Sequence, residues 1–306
     1  MNDNITPYVR YIGADDKDLD LFESQYVVPQ GISYNSYVIT DEKIAVMDTI
    51  DQRKTEEWTV RLEEALEGRT PDYLIVQHME PDHAANIGWF AEKYPEATIV
   101  ASAKAIQMMP QFFEEVNFAG RTQTVKEGDT LCLGQHTLKF IMAPMVHWPE
   151  VMLTYEESEK ILFSADAFGK FGALCHEGEW IDEARRYYFN IVGKYGAQVQ
   201  ALLKKAAGLD IAMICPLHGP VLKENLGYYI GLYDTWSKYE PETEGVVVAY
   251  ASIHGNTAAA ARWMAEILSE KGAAEVMLID LCRDDMALAV ESAFRYSKMI
   301  VAASSY

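Results

Sequence analysis

His78-Met79-Glu80-Pro81-Asp82-His83 follows at once on Tyr73 to Val76 (YLIV), a short apolar run that reads as a buried β-strand. Side chains alternate past a strand end, so His78, Glu80 and Asp82 can project to one side, with His83 following at the turn. The hexapeptide therefore offers four donors to two neighbouring points in space. One metal ion rarely takes that many from six residues. A merely solvated acidic loop has no reason to hold two histidines in register with two carboxylates.

The chain has seven histidines, and four of them lie in settings that suit coordination. His147 (Met145-Val146-His147-Trp148-Pro149) falls in a loop between strands. Asp166 follows the strand Ile161 to Ser164, and His218 follows the strand Ile211 to Cys215. A lone histidine or aspartate in such a place is commonly a cap or turn residue. The cluster at 78–83 changes their weight, because several strand ends can converge on one cleft. His136 and His176 have no such setting and read as structural or surface residues. Glu80, Asp82 and Asp166 with four imidazoles and no thiolate form a borderline-hard ligand set. Zinc fits an imidazole-rich site. The added negative charge of Glu80 favours a more oxidised metal such as Fe(III), and the Asp166 carboxylate can give one oxygen to each of two ions.

Working outward, Ile32 to Thr40 and Lys43 to Asp48 read as a hairpin about Asp41-Glu42. Thr55 to Leu66 has helical spacing, with Trp58, Leu62, Ala65 and Leu66 on one face. A helix over Ala84 to Lys93, a strand over Thr98 to Ala101 and a helix over Ala105 to Glu114 follow. From Arg121 to Ser164 come short strands with Gly-containing turns, among them Leu131 to Leu133, Thr137 to Met142, Val151 to Tyr155 and Ile161 to Ser164. Glu183 to Ala206 is largely helical, as is Asn225 to Lys238. Strand-rich halves each followed by helices predict sheets covered by helices on their outer faces.

Lys238 to Gly245 (KYEPETEG) is polar and marks a boundary. Beyond it strands Val246 to Tyr250, Val276 to Leu281 and Met299 to Ala303 alternate with helices Ala258 to Lys271 and Met286 to Tyr296. That βαβαβ rhythm starts a doubly wound parallel sheet. Such a domain normally needs two more strands, so the second unit is expected to be incomplete and poorly folded by itself.

Bulk properties narrow the function. A formal charge of −20 argues against nucleic acid and anionic membranes as partners. Four dispersed cysteines, Cys132, Cys175, Cys215 and Cys282, form no C-x-x-C pair and each reads as a small buried residue. No signal-like N-terminus and no run of membrane length is present, so a cytoplasmic location is expected.

These motifs together resemble the flavodiiron proteins, or A-type flavoproteins, over essentially the whole chain. The resemblance is carried by Gly31-Ile32-Ser33-Tyr34-Asn35-Ser36-Tyr37, the hexapeptide, His147-Trp148-Pro149, Ala165 to Gly169, Glu183 to Tyr188, Cys215-Pro216-Leu217-His218-Gly219-Pro220 and Ser252 to Thr257. The wider metallo-β-lactamase superfamily usually carries H-x-H-x-D-H, and Glu80 stands where its second histidine would be. The resemblance implies an α/β chain: a metallo-β-lactamase-like αββα sandwich over 1–243, then an incomplete flavodoxin-like doubly wound parallel sheet over 244–306. It implies one iron held by His78, Glu80 and His147, a second held by Asp82, His83 and His218, and Asp166 bridging them. The implied activity is reduction of dioxygen to water or nitric oxide to nitrous oxide, with electrons arriving through FMN. It also implies an external donor such as rubredoxin or a reductase, and a head-to-tail homodimer or dimer of dimers. Tyr34 and Trp148 would line the pocket or pack in the core. A dinuclear zinc hydrolase is the competing reading, and a silent scaffold the third.

The FMN reading rests on Ser252, His254, Gly255, Asn256 and Thr257, between a strand and a helix. Hydroxyl and amide donors, a glycine that permits close approach, and a helix N-terminus suit a phosphate. Ordinary helix capping is the plainer alternative. The flavin ring would need loops after the third and fourth strands, and only Ser304-Ser305-Tyr306 belongs to the first of these. Weak or absent FMN binding is therefore expected of this chain.

Overall fold

The computed structural model describes residues 4–304 except Glu177, so Ser305 and Tyr306 lie outside the described residues. In chain order, strands β1 (Val9–Tyr11), β2 (Ala14–Asp16), β3 (Leu21–Phe22), β4 (Tyr26–Val27), β5 (Ile32–Tyr34), β6 (Tyr37–Thr40) and β7 (Ile44–Met47) precede helix α1 (Thr55–Leu66). Then come β8 (Tyr73–Val76), α2 (Pro81–Ala84), α3 (Ile87–Lys93), β9 (Thr98–Ser102), α4 (Ala103–Phe112) and β10 (Thr122–Val125). A second group holds β11 (Thr130–Cys132), β12 (Thr137–Met142), β13 (Met152–Glu156), β14 (Ile161–Phe163), α5 (Trp180–Tyr187), α6 (Gly196–Ala206), β15 (Met213–Cys215) and α7 (Leu226–Ser237). The chain then continues through β16 (Thr243–Ala251), α8 (Asn256–Glu270), β17 (Val276–Asp280), α9 (Met286–Arg295) and β18 (Tyr296–Ala303).

Two sheets, ordered β1-β6-β7-β8-β9-β10 and β11-β12-β13-β14-β15, pack face to face. The period-2 alternation of each strand decides this. In β7, Ala45 and Met47 join Ile75, Phe140 and Phe163 between the sheets. Ile44 and Val46 turn the other way, toward Trp58, Leu62 and Phe90 of the helices. On the far sheet Leu153, Leu162 and Ile214 meet Leu202, Tyr233 and Trp236 in the same manner. The helix face expected of Trp58, Leu62, Ala65 and Leu66 is the buried face of α1. The result is the helix–sheet–sheet–helix sandwich anticipated above.

Some local expectations need correction. Ile32 to Thr40 is two strands, not one. Asn35 interrupts it, because its Nδ2 donates to the carbonyls of Pro216 and Gly219, each at 2.8 Å. β5 then pairs with β2, whereas β6 pairs with β1 and β7. The helix expected over Ala84 to Lys93 starts earlier, since Pro81 sits at its first position, and it breaks at Asn86, whose Nδ2 donates to Ile50 O at 2.6 Å. The helix expected over Ala105 to Glu114 begins at Ala103, capped by Ser102, whose hydroxyl accepts from Ala105 N. Between α5 and α6 the chain widens into a π turn at Tyr188–Val192. Burial holds for Cys215 alone; Cys132, Cys175 and Cys282 are exposed. Cys132 shows why, since it flanks the buried Leu131 on β11 and so faces outward.

The C-terminal sheet is parallel and ordered β17-β16-β18. The first strand thus lies between the second and third, as in a doubly wound sheet. Arg185 on α5 ties this unit to the sandwich. Its Nε donates to Glu242 Oε2 at 2.7 Å, and its Nη1 lies 3.7 Å from Glu291 of α9. Phe189 and Phe294 stack at 4.6 Å beside that contact. Among the described residues no helix is long and apolar enough to cross a membrane.

Candidate metal centre

Four loops leave the strand ends of the sandwich and meet at one place. His78 lies two residues past β8, His147 between β12 and β13, Asp166 three residues past β14, and His218 three residues past β15. Several backbone positions there are forced. Asp48, Met145, Ala165 and Phe168 all have positive φ, between 49° and 67°, without being glycine. Each such residue costs about 1–3 kcal/mol, and such costs concentrate where side chains must be aimed.

The seven side chains singled out in the sequence form two adjoining groups. In the first, His78 Nε2 lies 3.2 Å from Glu80 Oε2 and 3.2 Å from Asp166 Oδ2. His147 Nε2 lies 3.0 Å from Glu80 Oε2 and 3.1 Å from Asp166 Oδ2. In the second, Asp82 Oδ2 lies 3.3 Å from His83 Nε2 and 3.2 Å from His218 Nε2, and the two ring nitrogens stand 3.1 Å apart. Asp166 faces both groups, with its other oxygen, Oδ1, 3.1 Å from His83 Nε2. Strand-end alternation predicts Asp82 beside His78 and Glu80. The structure places it in the other group, because Pro81 starts a helical turn that swings Asp82 and His83 away together.

This donor set fits a pair of cations. Nitrogen and oxygen ligands about 2.1 Å from a shared ion in tetrahedral array lie roughly 3.4 Å from one another, close to the separations above. Both oxygens of Asp82 and Nδ1 of His83 are buried without a hydrogen-bond partner. Uncompensated, each costs about 1–3 kcal/mol. A cation facing Asp82 compensates its oxygens, and it also answers the His83–His218 nitrogen pair.

The electrostatics agree. Burial alone would keep the His78 ring neutral, but Asp166, Glu150 and Glu80 outweigh it and hold its pKa well above the usual value. His147 is treated alike: burial opposes its charge, Asp166 and Glu80 favour it, and its pKa rises to about 9. Burial pushes the Asp166 carboxyl up, yet His78 and His83 drive it well below the carboxylate range. The site is built to hold positive charge beside Glu80 and Asp166.

Other groups orient these side chains and were not found from sequence. Glu150 Oε1 lies 2.8 Å from His78 Nδ1 and accepts from Met79 N at 2.9 Å. Ser33 O lies 2.7 Å from His218 Nδ1. Asp48 accepts from the backbone of Gln77 and His78 and from the Gln77 amide. Partners of this kind fix the tautomer and aim of a metal-binding ring. The one signal available was position: Glu150 follows His147-Trp148-Pro149, and Asp48 ends an apolar strand. The hairpin β3–β4 was also missed, because its strands have two residues each. It overhangs the centre and, with Tyr34, Asp51, Glu80 and Asp82, encloses a recess of about 330 Å³. Tyr34 is buried with its ring 6.1 Å from His218, and half-buried Trp148 meets His78 edge-on at 5.4 Å. His136 is buried against Asp41 at 2.7 Å and His176 is exposed, both away from the centre.

The residues expected to hold FMN lie at the carboxyl end of β16, the middle strand of its sheet. Ser252 Oγ accepts from Gly255 N at 3.1 Å, Gly255 takes φ 88°, and α8 begins at Asn256. His254, Gly255 and Asn256 are exposed and Ser252 and Thr257 half-buried. From β16 the chain goes to β17 on one side and β18 on the other, so this loop stands at the point where strand order reverses.

An αββα sandwich bearing two carboxylate-linked histidine groups at its strand ends, followed by a doubly wound sheet, defines a metallo-β-lactamase-like protein. Residues 32–219 match the model of the ODP family beta lactamase. The chain is 31% identical over 323 residues to the anaerobic nitric oxide reductase flavorubredoxin of Aliivibrio fischeri, covering 100% of this chain and 63% of that one. Among solved structures, the rubredoxin oxygen:oxidoreductase of Desulfovibrio gigas superposes with a TM-score of 0.90 at 27% identity, covering 97% of this chain and 76% of that one. The flavodiiron protein of Giardia intestinalis gives 0.88 at 28%, covering 95% and 72%. The chain belongs to the flavodiiron protein family. It spans about half to two thirds of the length of several curated relatives.

Proposed function

We propose that this chain is the diiron-bearing part of an oxidoreductase that reduces dioxygen, nitric oxide or both. The observation that carries the reading is Glu80, whose carboxylate meets His78 and His147 where a hydrolase of this fold would present an imidazole. Anionic Glu80 and Asp166 favour iron over zinc in that group. His78, Glu80 and His147 would hold one iron, Asp82, His83 and His218 the other, with Asp166 shared. Iron at both positions would supply redox chemistry for a two-atom gas, with FMN as the source of electrons. The chain's own residues set the stage. Glu150 and Ser33 fix the rings of His78 and His218. Phe22, Tyr34 and Tyr187 surround His218 and keep water from that side. The recess under β3–β4 leaves Glu80 and Asp82 reachable.

FMN would bind by its phosphate at Ser252, His254, Gly255, Asn256 and Thr257, where the helix N-terminus favours an anion. The D. gigas and A. fischeri proteins support dioxygen and nitric oxide as substrates and a rubredoxin-type donor. A head-to-tail dimer would bring the flavin of one subunit over the irons of its partner. Elemental analysis combined with anaerobic gas-consumption assays tests the reading. Two irons per chain are expected, with uptake of either gas when reduced FMN is added in excess as the electron donor. Two zincs with esterase activity would instead make the chain a hydrolase.

A further inference from the structure

A second cavity, of about 360 Å³, lies between α6, α7 and the outer face of the β11–β15 sheet, and it shares no lining residue with the recess under β3–β4. It runs inward from the surface. Its mouth is at Ala207, Asp210 and Gly227, all exposed. Its floor is Val146, Ala167 and Phe168, all buried. Val146 is the chain neighbour of His147, and Ala167 of Asp166. The cavity therefore ends against two of the three loops that carry the first metal group.

Its lining is mostly apolar. Asp210 and Tyr233 are the polar side chains of the lining. The Asp210 carboxylate is paired at the rim with Lys160, and the Tyr233 hydroxyl accepts from Phe168 N at 2.6 Å. A water held inside needs two to four polar partners, and these walls offer few. Apolar cavities of smaller size, about 150 Å³, stay dry and take up benzene or xenon. The way in is lined by small residues, Ala206, Ala207 and Gly227, and a Cβ added at Gly227 would meet nothing within 4 Å.

We propose that this funnel is a binding site for small, uncharged, weakly hydrated gases, and that it supplies them to the metal centre along the His147 and Asp166 loops. The role as a supply route rests on the gas-reductase reading above; the ligand class rests on the cavity itself. Dioxygen and nitric oxide both partition from water into apolar surroundings, so the funnel raises their local concentration beside the loops. It discriminates against ions and polar solutes, which would lose hydration without gaining partners.

The test uses the full 306-residue chain and xenon as the probe. Crystals pressurised with xenon, or xenon chemical-shift titration in solution, should show a site beside Val146 and Ala167. Gly227→Phe and, separately, Ala207→Phe should plug the mouth and lower xenon uptake severalfold without changing metal content. In iron-loaded protein the same variants should lower kcat/KM for the gas severalfold while leaving kcat at saturating gas unchanged. No xenon in the unaltered chain, uptake undiminished in both variants, or an unchanged kcat/KM would overturn the proposal. If xenon binds and the plugs remove it, yet the iron-loaded protein consumes neither gas, the gas-reductase reading fails while the cavity's ligand class stands.

Discussion

Glu150 holds His78 from behind. One carboxylate oxygen, Oε1, lies 2.8 Å from His78 Nδ1 and also accepts from the next backbone N–H, that of Met79. Both side chains are fully buried, so the ring cannot rotate without leaving a buried charge unpaired. His78 Nε2 is thereby aimed at Glu80 and Asp166. Glu150→Ala is expected to lower metal affinity about 10–100-fold, the usual cost of losing such a partner. Glu150→Gln, which keeps an acceptor but loses the charge, should cost less. Competition with a chelator of known affinity measures both, and equal affinity in all three proteins would refute the positioning role.

Asp166 divides its carboxylate, with Oδ2 facing His78 and His147 and Oδ1 facing His83. Asp166→Asn keeps the shape but gives one side an amide N–H₂. We expect metal content to drop from two ions to one or fewer, with the far-UV circular dichroism of the sandwich unchanged. Two tightly held ions in the variant would show that the carboxylate is not shared.

Glu80→His restores the imidazole typical of the hydrolases. With one anionic ligand fewer, the site should shift its preference from iron toward zinc. The readout is the iron-to-zinc ratio after loading from an equimolar mixture. An unaltered ratio would mean that Glu80 does not select the metal.

The contact between α5 and α9 has a pH dependence of definite sign. Burial raises the Glu291 carboxyl from 4.5 to about 7, against the pull of Arg185 and Arg295. Its folded pKa exceeds its unfolded one, so the stability it contributes is full below pH 4.5 and is lost as pH rises through 7. The size is of the order of 3 kcal/mol. Glu291→Gln cannot ionise and should flatten that part of the profile. Urea midpoints of both proteins between pH 5 and 8 test this; parallel profiles would exclude Glu291 as the source.

Much of this protein is legible in its sequence because the deciding features are local. Alternation in Ile44 to Met47 and Tyr73 to Val76 fixes which side chains meet the facing sheet, since a strand has only two faces. The residue types at 78, 80, 82, 83, 147, 166 and 218 were also readable, because seven metal-compatible side chains just beyond strands are hard to explain otherwise. Where the sequence reading failed, the competing interaction was distant. Asn35 ends a strand by bonding to carbonyls more than 180 residues away.

The opening hexapeptide by itself determined that this protein clusters metal-compatible side chains at a strand end. Only the tertiary structure decided how that cluster divides. Pro81 turns the chain into a helix, so Asp82 leaves His78 and Glu80 and joins His83 beside His218. The partners that aim those rings, Glu150, Ser33 and Asp48, come from other loops and strands. Grouping of this kind depends on where four loops converge. Convergence is set by the packing of two sheets, and no local stretch of sequence encodes it.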